Sequence, residues 1–168
     1  LHTSAVAEGQ VRSVASADFD GVTVLPHSGD RFLLATATVE AIDGWGMAAQ
    51  YQERRRLHGN RDDIDAGSAV FRLDGYYWSR NVDPPPGIMP DIDFFDSAGQ
   101  NIYTATGHGF ELAAAGGGWN RLTFQGQTPP GARSANVRIM ASFGGHVGVY
   151  DVAFAMDDVS LRILTEHA

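Results

Sequence analysis

Gly118-Trp119-Asn120-Arg121-Leu122-Thr123-Phe124, then Thr128-Pro129-Pro130-Gly131-Ala132-Arg133-Ser134-Ala135, then Asn136-Val137-Arg138-Ile139, and finally Met156-Asp157-Asp158-Val159-Ser160-Leu161-Arg162-Ile163 make up the stretch whose reading decides the fold. It reads as strand, tight turn, strand, loop and closing strand. Proline presets φ and glycine accepts positive φ, so Pro129-Pro130-Gly131 is the turn. An acidic pair, Asp157 and Asp158, stands where the closing strand begins.

The same pattern extends towards the N-terminus. Twenty glycines and seven prolines punctuate the chain, and stripes of helical period are scarce. Short runs rich in Val, Ile, Phe, Tyr and Thr between turn clusters argue for an all-β sandwich of two antiparallel sheets. The predicted strands are Gln10–Ala17, Val22–Leu25, Arg31–Val39, Ala69–Ser79, Ile92–Asp96, Phe110–Ala113, Trp119–Gln125, Ala135–Phe143 and Val152–Leu164. Asp96-Ser97-Ala98-Gly99-Gln100 is a turn, Pro84-Pro85-Pro86-Gly87 a stiff extended loop, and Ala113–Gly118 a flexible link. Ile42–Gly67 is the least β-like segment; Ala48–His58 within it reads as a short helix or a long excursion.

Composition narrows the function classes. A chain of 168 residues, 43% hydrophobic and 19% charged, has the apolar mass for one full core, spanning 1–168 with its centre at about 11–164. The net charge of −8 argues against a general nucleic-acid binder, which needs a basic face. With no cysteine, zinc–thiolate sites, thiol catalysis and disulfides are excluded. All twelve basic residues are arginine. No apolar run approaches the ~20 residues needed to cross a bilayer, so membrane insertion is not expected. The chain opens Leu1-His2-Thr3 without a signal-peptide pattern.

In order and wording the chain resembles the galactose-binding-like jelly-roll domains used by many bacterial carbohydrate-binding modules. Asp18-Phe19-Asp20-Gly21 stands where such modules carry a short aromatic–acid–glycine motif, and His27-Ser28-Gly29-Asp30 stands before the next strand. Phe71-Arg72-Leu73-Asp74-Gly75-Tyr76-Tyr77-Trp78 is similar to their middle strand with its aromatic exit, and Phe94-Phe95-Asp96-Ser97-Ala98-Gly99 to their Asp-x-x-Gly turn. The resemblance covers roughly Val11 to Leu164; the excursion at 42–67 departs from it. It implies a jelly-roll fold, a non-catalytic role in binding a polysaccharide or oligosaccharide, and an extracellular place beside a covalently linked catalytic domain. It also implies a structural calcium near the first strand and the Ser-Gly turn. Asp20 and Asp157 would supply carboxylates and Ser28–Asp30 carbonyls to the six to eight oxygens calcium takes.

Asp157 and Asp158 are adjacent on a strand and point to opposite faces, so they cannot act as a carboxylate pair on one substrate. Parity groups Asp157 with Val159, Leu161 and Ile163, the inward set. An inward carboxylate must be hydrogen-bonded, paired or metal-bound. The bland alternative to calcium is a set of bonds from backbone amides in a tight corner.

Sugar rings stack on Trp and Tyr, while their hydroxyls seek polar side chains. Candidate ligand contacts are Trp45, Tyr51, Arg72, Asp74, Tyr76 and Trp78, with Trp45 as a loop-tip aromatic between glycines. Along Val70–Trp78, the set Val70, Arg72, Asp74, Tyr76 and Trp78 shares one mixed polar–aromatic face, and Phe71, Leu73 and Tyr77 share the core face. The bland reading of Tyr76 and Trp78 is a packed rim. Arg54-Arg55-Arg56, His58 and Arg61 form a local basic patch that suits an anionic glycan; the expected reading is neutralisation by Asp62, Asp63 and Asp65 on a solvated loop. No GxSxG, P-loop, GxGxxG or HExxH motif is present, and no catalytic residues are expected. Rival readings are a structural or adhesion module, including a phage tail or fibre component, and a small polysaccharide lyase or hydrolase on the same scaffold.

Overall fold

The computed structural model describes residues 10–165 except 20, 42–44, 81–86, 108–109, 112–117 and 145–147, and gives the backbone alone at 10–11, 37, 39–41, 45–51, 110–111, 141–144 and 148–152. The chain runs β1 (Gln10–Val14), β2 (Ala17–Phe19), β3 (Val22–Val24), β4 (Phe32–Ala41), β5 (Trp45–Arg56), α1 (Arg61–Asp65), β6 (Val70–Ser79), β7 (Gly87–Phe95), β8 (Asn101–Thr106), β9 (Phe110–Glu111), β10 (Asn120–Gln127), β11 (Ser134–Gly144) and β12 (Gly148–Leu164). One sheet has the order β1-β4-β12-β6-β10, the other β5-β11-β7-β8 with β9 beside β7, and β2-β3 is a hairpin. Every described ladder is antiparallel. From β4 to β7 and from β9 to β12 successive strands alternate between the sheets, as in a jelly roll.

The core lies between the sheets. Phe71 and Leu73 of β6, Ile88, Ile92 and Phe94 of β7, Val137 and Ile139 of β11, and Leu122 of β10 are almost fully buried. Each alternates with a polar or less buried neighbour, so the period-two pattern is a record of which side meets the opposite sheet. Pro90 is tolerated inside β7 because its side of the strand faces the junction between β8 and β9, where Gly107 donates its N–H to the Pro90 carbonyl at 2.7 Å. A second, smaller cluster forms on the outer face of the first sheet: Phe32, Leu34, Trp78, Ala153 and Ala155 are covered by Phe19 and Val24 of the β2-β3 hairpin and by Trp119.

Three sequence expectations change. The excursion at 42–67 contains β5, which pairs with β11 from Arg56↔Ser134 to Trp45↔Gly144 and is an integral edge strand. Its Ala, Gln, Glu and Arg residues favour helix intrinsically, and the offered ladder overrides that preference. The helical part of the excursion is the short α1, capped by the Asn60 side chain accepting the Asp62 N–H at 3.1 Å and anchored by buried Ile64. Strand β8, absent from the sequence reading, pairs with β7 across the Asp96–Gln100 turn.

The third change is in β12. Its pairing with β6 shifts between Asp157 and Ser160, and Asp158 has φ 53°, in the left-handed region. This β-bulge resets the strand's parity. Asp157 therefore pairs with Tyr76 and lies on the outer face, whereas Val159, Leu161 and Ile163 pack on the main core. The expectation of an inward Asp157 fails because strict alternation was carried through an inserted residue.

Gly126 of β10 provides a test of the packing. A Cβ there would stand 2.9 Å from two ring carbons of Phe71, itself 1% exposed and unable to yield. Gly126→Ala is expected to cost about 1–3 kcal/mol by overpacking, read as a lowered urea midpoint with unchanged m-value.

Candidate functional site

Polar residues on the outer face of the second sheet line up across four strands. Asp91 and Asp93 of β7 alternate with core residues Ile92 and Phe94, and Asn136 and Arg138 of β11 with Val137 and Ile139. Register places Gln52, Arg138, Asp91 and Thr106 in one row, and Arg54, Asn136, Asp93 and Thr104 in the next. The Arg138 guanidinium lies 3.0 Å from Asp93 and 3.5 Å from Asp91. Thr104 donates its hydroxyl to Asp93 at 2.8 Å, and the Asn136 amide reaches it at 3.5 Å.

This face departs from an ordinary solvated one. Asp91 is 7% exposed and Asn136 8%, although both sit on the side away from the core. Asp91 Oδ1 and Arg138 Nε are buried without a hydrogen-bond partner. An unmet buried acceptor and an unmet buried donor each carry a desolvation cost. The rim of the strip, Gln52, Arg54, Thr104 and Thr106, is exposed.

The expected residues on β6 divide. Arg72, Asp74 and Tyr76 do share the outer face of the first sheet. Asp74 accepts bonds from Arg72 at 2.9 Å, Arg162 at 2.7 Å, Arg121 at 3.3 Å and Thr123 at 3.2 Å. Burial pushes the Asp74 carboxyl up, but the three arginines and Thr123 outweigh it and hold it at about 2. The Asp74 carboxylate is therefore fully engaged, while three guanidiniums around one carboxylate leave the cluster net positive. One face of Tyr76 is covered by the His27 ring, centroids 3.4 Å apart. Trp78 does not point to a ligand: it is 3% exposed and stacks on Phe19 at 5.4 Å, because the β2-β3 hairpin covers that end of the sheet. The backbones of Trp45 and Tyr51 belong to β5; their side chains lie outside the described residues.

At the bulge, Asp157 accepts N–H bonds from His27 at 2.8 Å, Ser28 at 3.2 Å and Asp158 at 2.8 Å. Asp158 accepts the Ser28 hydroxyl at 2.6 Å and contacts His27 Nδ1 at 2.8 Å. The Ser28 and His27 bonds hold the Asp158 carboxyl below its ordinary value. Serine and histidine both address the same carboxylate and not each other, so no nucleophile-to-base relay is formed. Of the two carboxylates expected to hold calcium, Asp20 lies outside the described residues. The groups around Asp157 are N–H donors, a set that suits a bare carboxylate and competes with a cation for its oxygens. No cluster of three or more metal-ligating side chains occurs among the described residues.

The arginine patch lines a cleft of about 1000 Å³ at one end of the sandwich, together with His58, Arg61, Asp96, Ser97, Arg133 and Ser134. The expected neutralisation by Asp62, Asp63 and Asp65 is not the arrangement found. Asp65 pairs with Arg133 at 2.8 Å, and Arg55 with Glu53 at 2.6 Å. Arg54 lies over the Phe95 ring, 4.6 Å from its centroid.

Two measurements check these assignments. A carboxyl lowered in the folded state stabilises above its unfolded value, near 3.9, and that contribution is lost as pH falls through the folded one. The melting temperature should thus drop as pH falls from about 4 towards about 2, and Asp74→Asn should flatten that limb. Adding EDTA to metal-loaded protein should leave melting unchanged, while Asp157→Ala lowers it with or without chelator; a chelator-induced drop abolished by Asp157→Ala would restore the calcium reading.

No protein-family model and no curated protein sequence matches the chain. Solved structures match its fold. One is from a study of the promiscuous specificity of carbohydrate-binding modules of the β-sandwich superfamily, at TM-score 0.57 and 17% identity over 94% of this chain and 54% of that one. Another holds the CBM22-1–GH10 modules of Clostridium thermocellum endo-1,4-β-D-xylanase 10B with xylohexaose, at TM-score 0.53 and 12% identity over 96% of this chain and 25% of that one. A third is the enzymatically active domain of bacteriophage CBA120 tailspike protein 4, at TM-score 0.53 and 14% identity over 93% of this chain and 18% of that one. The chain thus spans about half or less of the length of each of these three. It has the jelly-roll β-sandwich fold of carbohydrate-binding modules.

Proposed function

We propose that this chain is a non-catalytic carbohydrate-binding module whose glycan lies across the outer face of the β5-β11-β7-β8 sheet. The observation that carries this reading is the Asp91–Arg138–Asp93 row with its exposed polar rim of Gln52, Arg54, Thr104 and Thr106, a strip continuous across four strands. A sugar hydroxyl is at once donor and acceptor, so one hydroxyl meets a carboxylate oxygen and the next meets a guanidinium N–H. Thr104, Thr106 and Gln52 extend the strip with neutral hydrogen-bonding groups. Held on paired strands, these side chains need little reorganisation on binding. The fold likeness to modules of this kind supports the class but does not identify the glycan. Within the same proposal the module acts outside the cell, attached to a larger glycan-degrading protein.

The likeness to a segment of a tailspike's enzymatically active domain keeps two rivals, a structural or adhesion unit and a lyase or hydrolase. A glycan array, read for binding and for product release, separates the three readings. The module should retain at least one polysaccharide or oligosaccharide without releasing products. Asp93→Asn should lower affinity by about tenfold or more, since hydrogen bonds to a charged group contribute about 1.5–3 kcal/mol. Arg121→Ala, on the opposite sheet, should leave affinity unchanged. Absence of glycan binding together with stable self-association would favour the structural unit. Product release would favour the lyase or hydrolase reading.

A further inference from the structure

We infer that the arginine-lined cleft at the end of the sandwich binds the carboxylates of an acidic, uronate-containing glycan. This rests on the glycan-binding reading and adds the chemical class of the ligand. The cleft holds about 1000 Å³ and is walled by the end of β5, the approach to α1, the β7–β8 turn and the entry to β11. Five arginines and His58 line it against a single carboxylate, Asp96. That carboxylate is committed to the turn, where it accepts the N–H groups of Ala98 and Gln100, both at 2.9 Å. Arg133 is engaged by Asp65, and Arg55 by Glu53. Arg54, Arg56 and Arg61 make no ion pair within hydrogen-bonding reach of a carboxylate among the described residues; Asp65 acts on Arg61 only at longer range.

Clustered like charges repel, and Arg54, Arg56 and Arg61 stand together here without a carboxylate in hydrogen-bonding reach among the described residues. An anionic group brought into the cleft removes that repulsion. Arginine suits a carboxylate because its planar fork donates two parallel bonds. Stacking on Phe95 holds the Arg54 guanidinium in place, and its Nη2 lies 3.4 Å from the Ser134 hydroxyl. Arg54 also belongs to the outer-face row with Asn136 and Asp93, so a chain lying on that face leads directly into the cleft. Ser97 and Ser134 supply neutral partners for ring hydroxyls. Five of the twelve arginines of a chain of net charge −8 line this one cleft. Spaced carboxylates on a sugar chain fit that arrangement better than the dense phosphates of a nucleic acid, which demand an extended basic face.

The test titrates oligogalacturonate, mannuronate–guluronate oligomers, neutral xylo-oligosaccharide and a single-stranded oligonucleotide against the folded protein and its variants. A uronate oligomer should bind most tightly. Its affinity should fall at least about tenfold between about 0.1 M and about 1 M salt, as the Debye length contracts from about 10 Å to about 3 Å. Arg56→Ala and Arg61→Ala should each weaken it by about tenfold with an unchanged melting temperature. Arg121→Ala, outside the cleft, should have no effect. Salt-indifferent binding of the neutral oligomer, equal to or tighter than that of the uronates, overturns the inference and leaves the carbohydrate reading standing. Uronate binding insensitive to both arginine changes also overturns it. Preference for the oligonucleotide overturns the ligand class, and no glycan binding at all overturns both readings.

Discussion

The residue inserted into β12 opposite Gly75 is the constraint on which much of the rest depends. Before it, Phe154 and Met156 face the core; after it, Val159, Leu161 and Ile163 do. Without the bulge, strict alternation would turn Leu161 and Ile163 out to solvent and bring Ser160 and Arg162 into the core, each at the cost of an unpaired buried polar group. Asp158 bears the left-handed backbone this requires, a conformation that Asp tolerates better than most residues because its short side chain bonds locally. The same reversal delivers Asp157 and Asp158 to the outer face, where they hold the His27–Ser28 segment, and that segment in turn sets His27 on Tyr76. Gly75 lies opposite the bulge, where a Cβ would meet Val159 at ordinary contact distance.

The two outer faces are used differently. On the first sheet one half is sealed by the β2-β3 hairpin, and the other is occupied by the Asp74 network, whose carboxylate oxygens are spent on three arginines and a threonine. The carboxylate there has no capacity left for a ligand, while the Arg121 and Arg162 side chains stay more than half exposed. On the second sheet the polar groups outnumber their own internal solutions, and buried atoms stay unmet. Unmet buried atoms beside an exposed polar rim separate this strip from the Asp74 cluster, although Trp78 Nε1 under the hairpin of the first sheet is unmet as well. Exposure alone would not separate them, since Arg121 and Arg162 of the Asp74 cluster are more exposed than Asp91 and Asp93 of the strip.

Charge follows the same division. The chain is acidic as a whole, yet several of its acids are engaged locally: Asp65 and Asp74 pair with arginines, while Asp96 and Asp157 accept backbone N–H groups and keep their charge. The lining of the cleft at the end of the sandwich is basic, five arginines to one aspartate among the described residues. A net charge describes long-range behaviour in solution and says little about a cleft with dimensions comparable to a Debye length of about 8 Å.

The sequence by itself determined the fold class, because turn residues and period-two runs are local signals: the Pro129–Gly131 turn, the Asp96–Gln100 turn, and the strands at β6, β10 and β11 could all be read from it. It also grouped Arg72, Asp74 and Tyr76 on one face, since parity holds along an unbroken strand. It did not disclose β5, whose residues prefer helix until a ladder from β11 is offered, nor β8, whose exposed residues lack a clear apolar rhythm. The candidate site was invisible for a related reason. Asp91-x-Asp93 and Asn136-x-Arg138 each read as the polar side of a strand, and only the pairing of β7 with β11 sets one guanidinium between two carboxylates. Trp78 went to a core and Asp157 to the outer face because a hairpin and a bulge, both set by contacts distant in sequence, decide which side of a strand is inside. Local sequence determines what each strand can bury; only the tertiary structure decides what lies beside it.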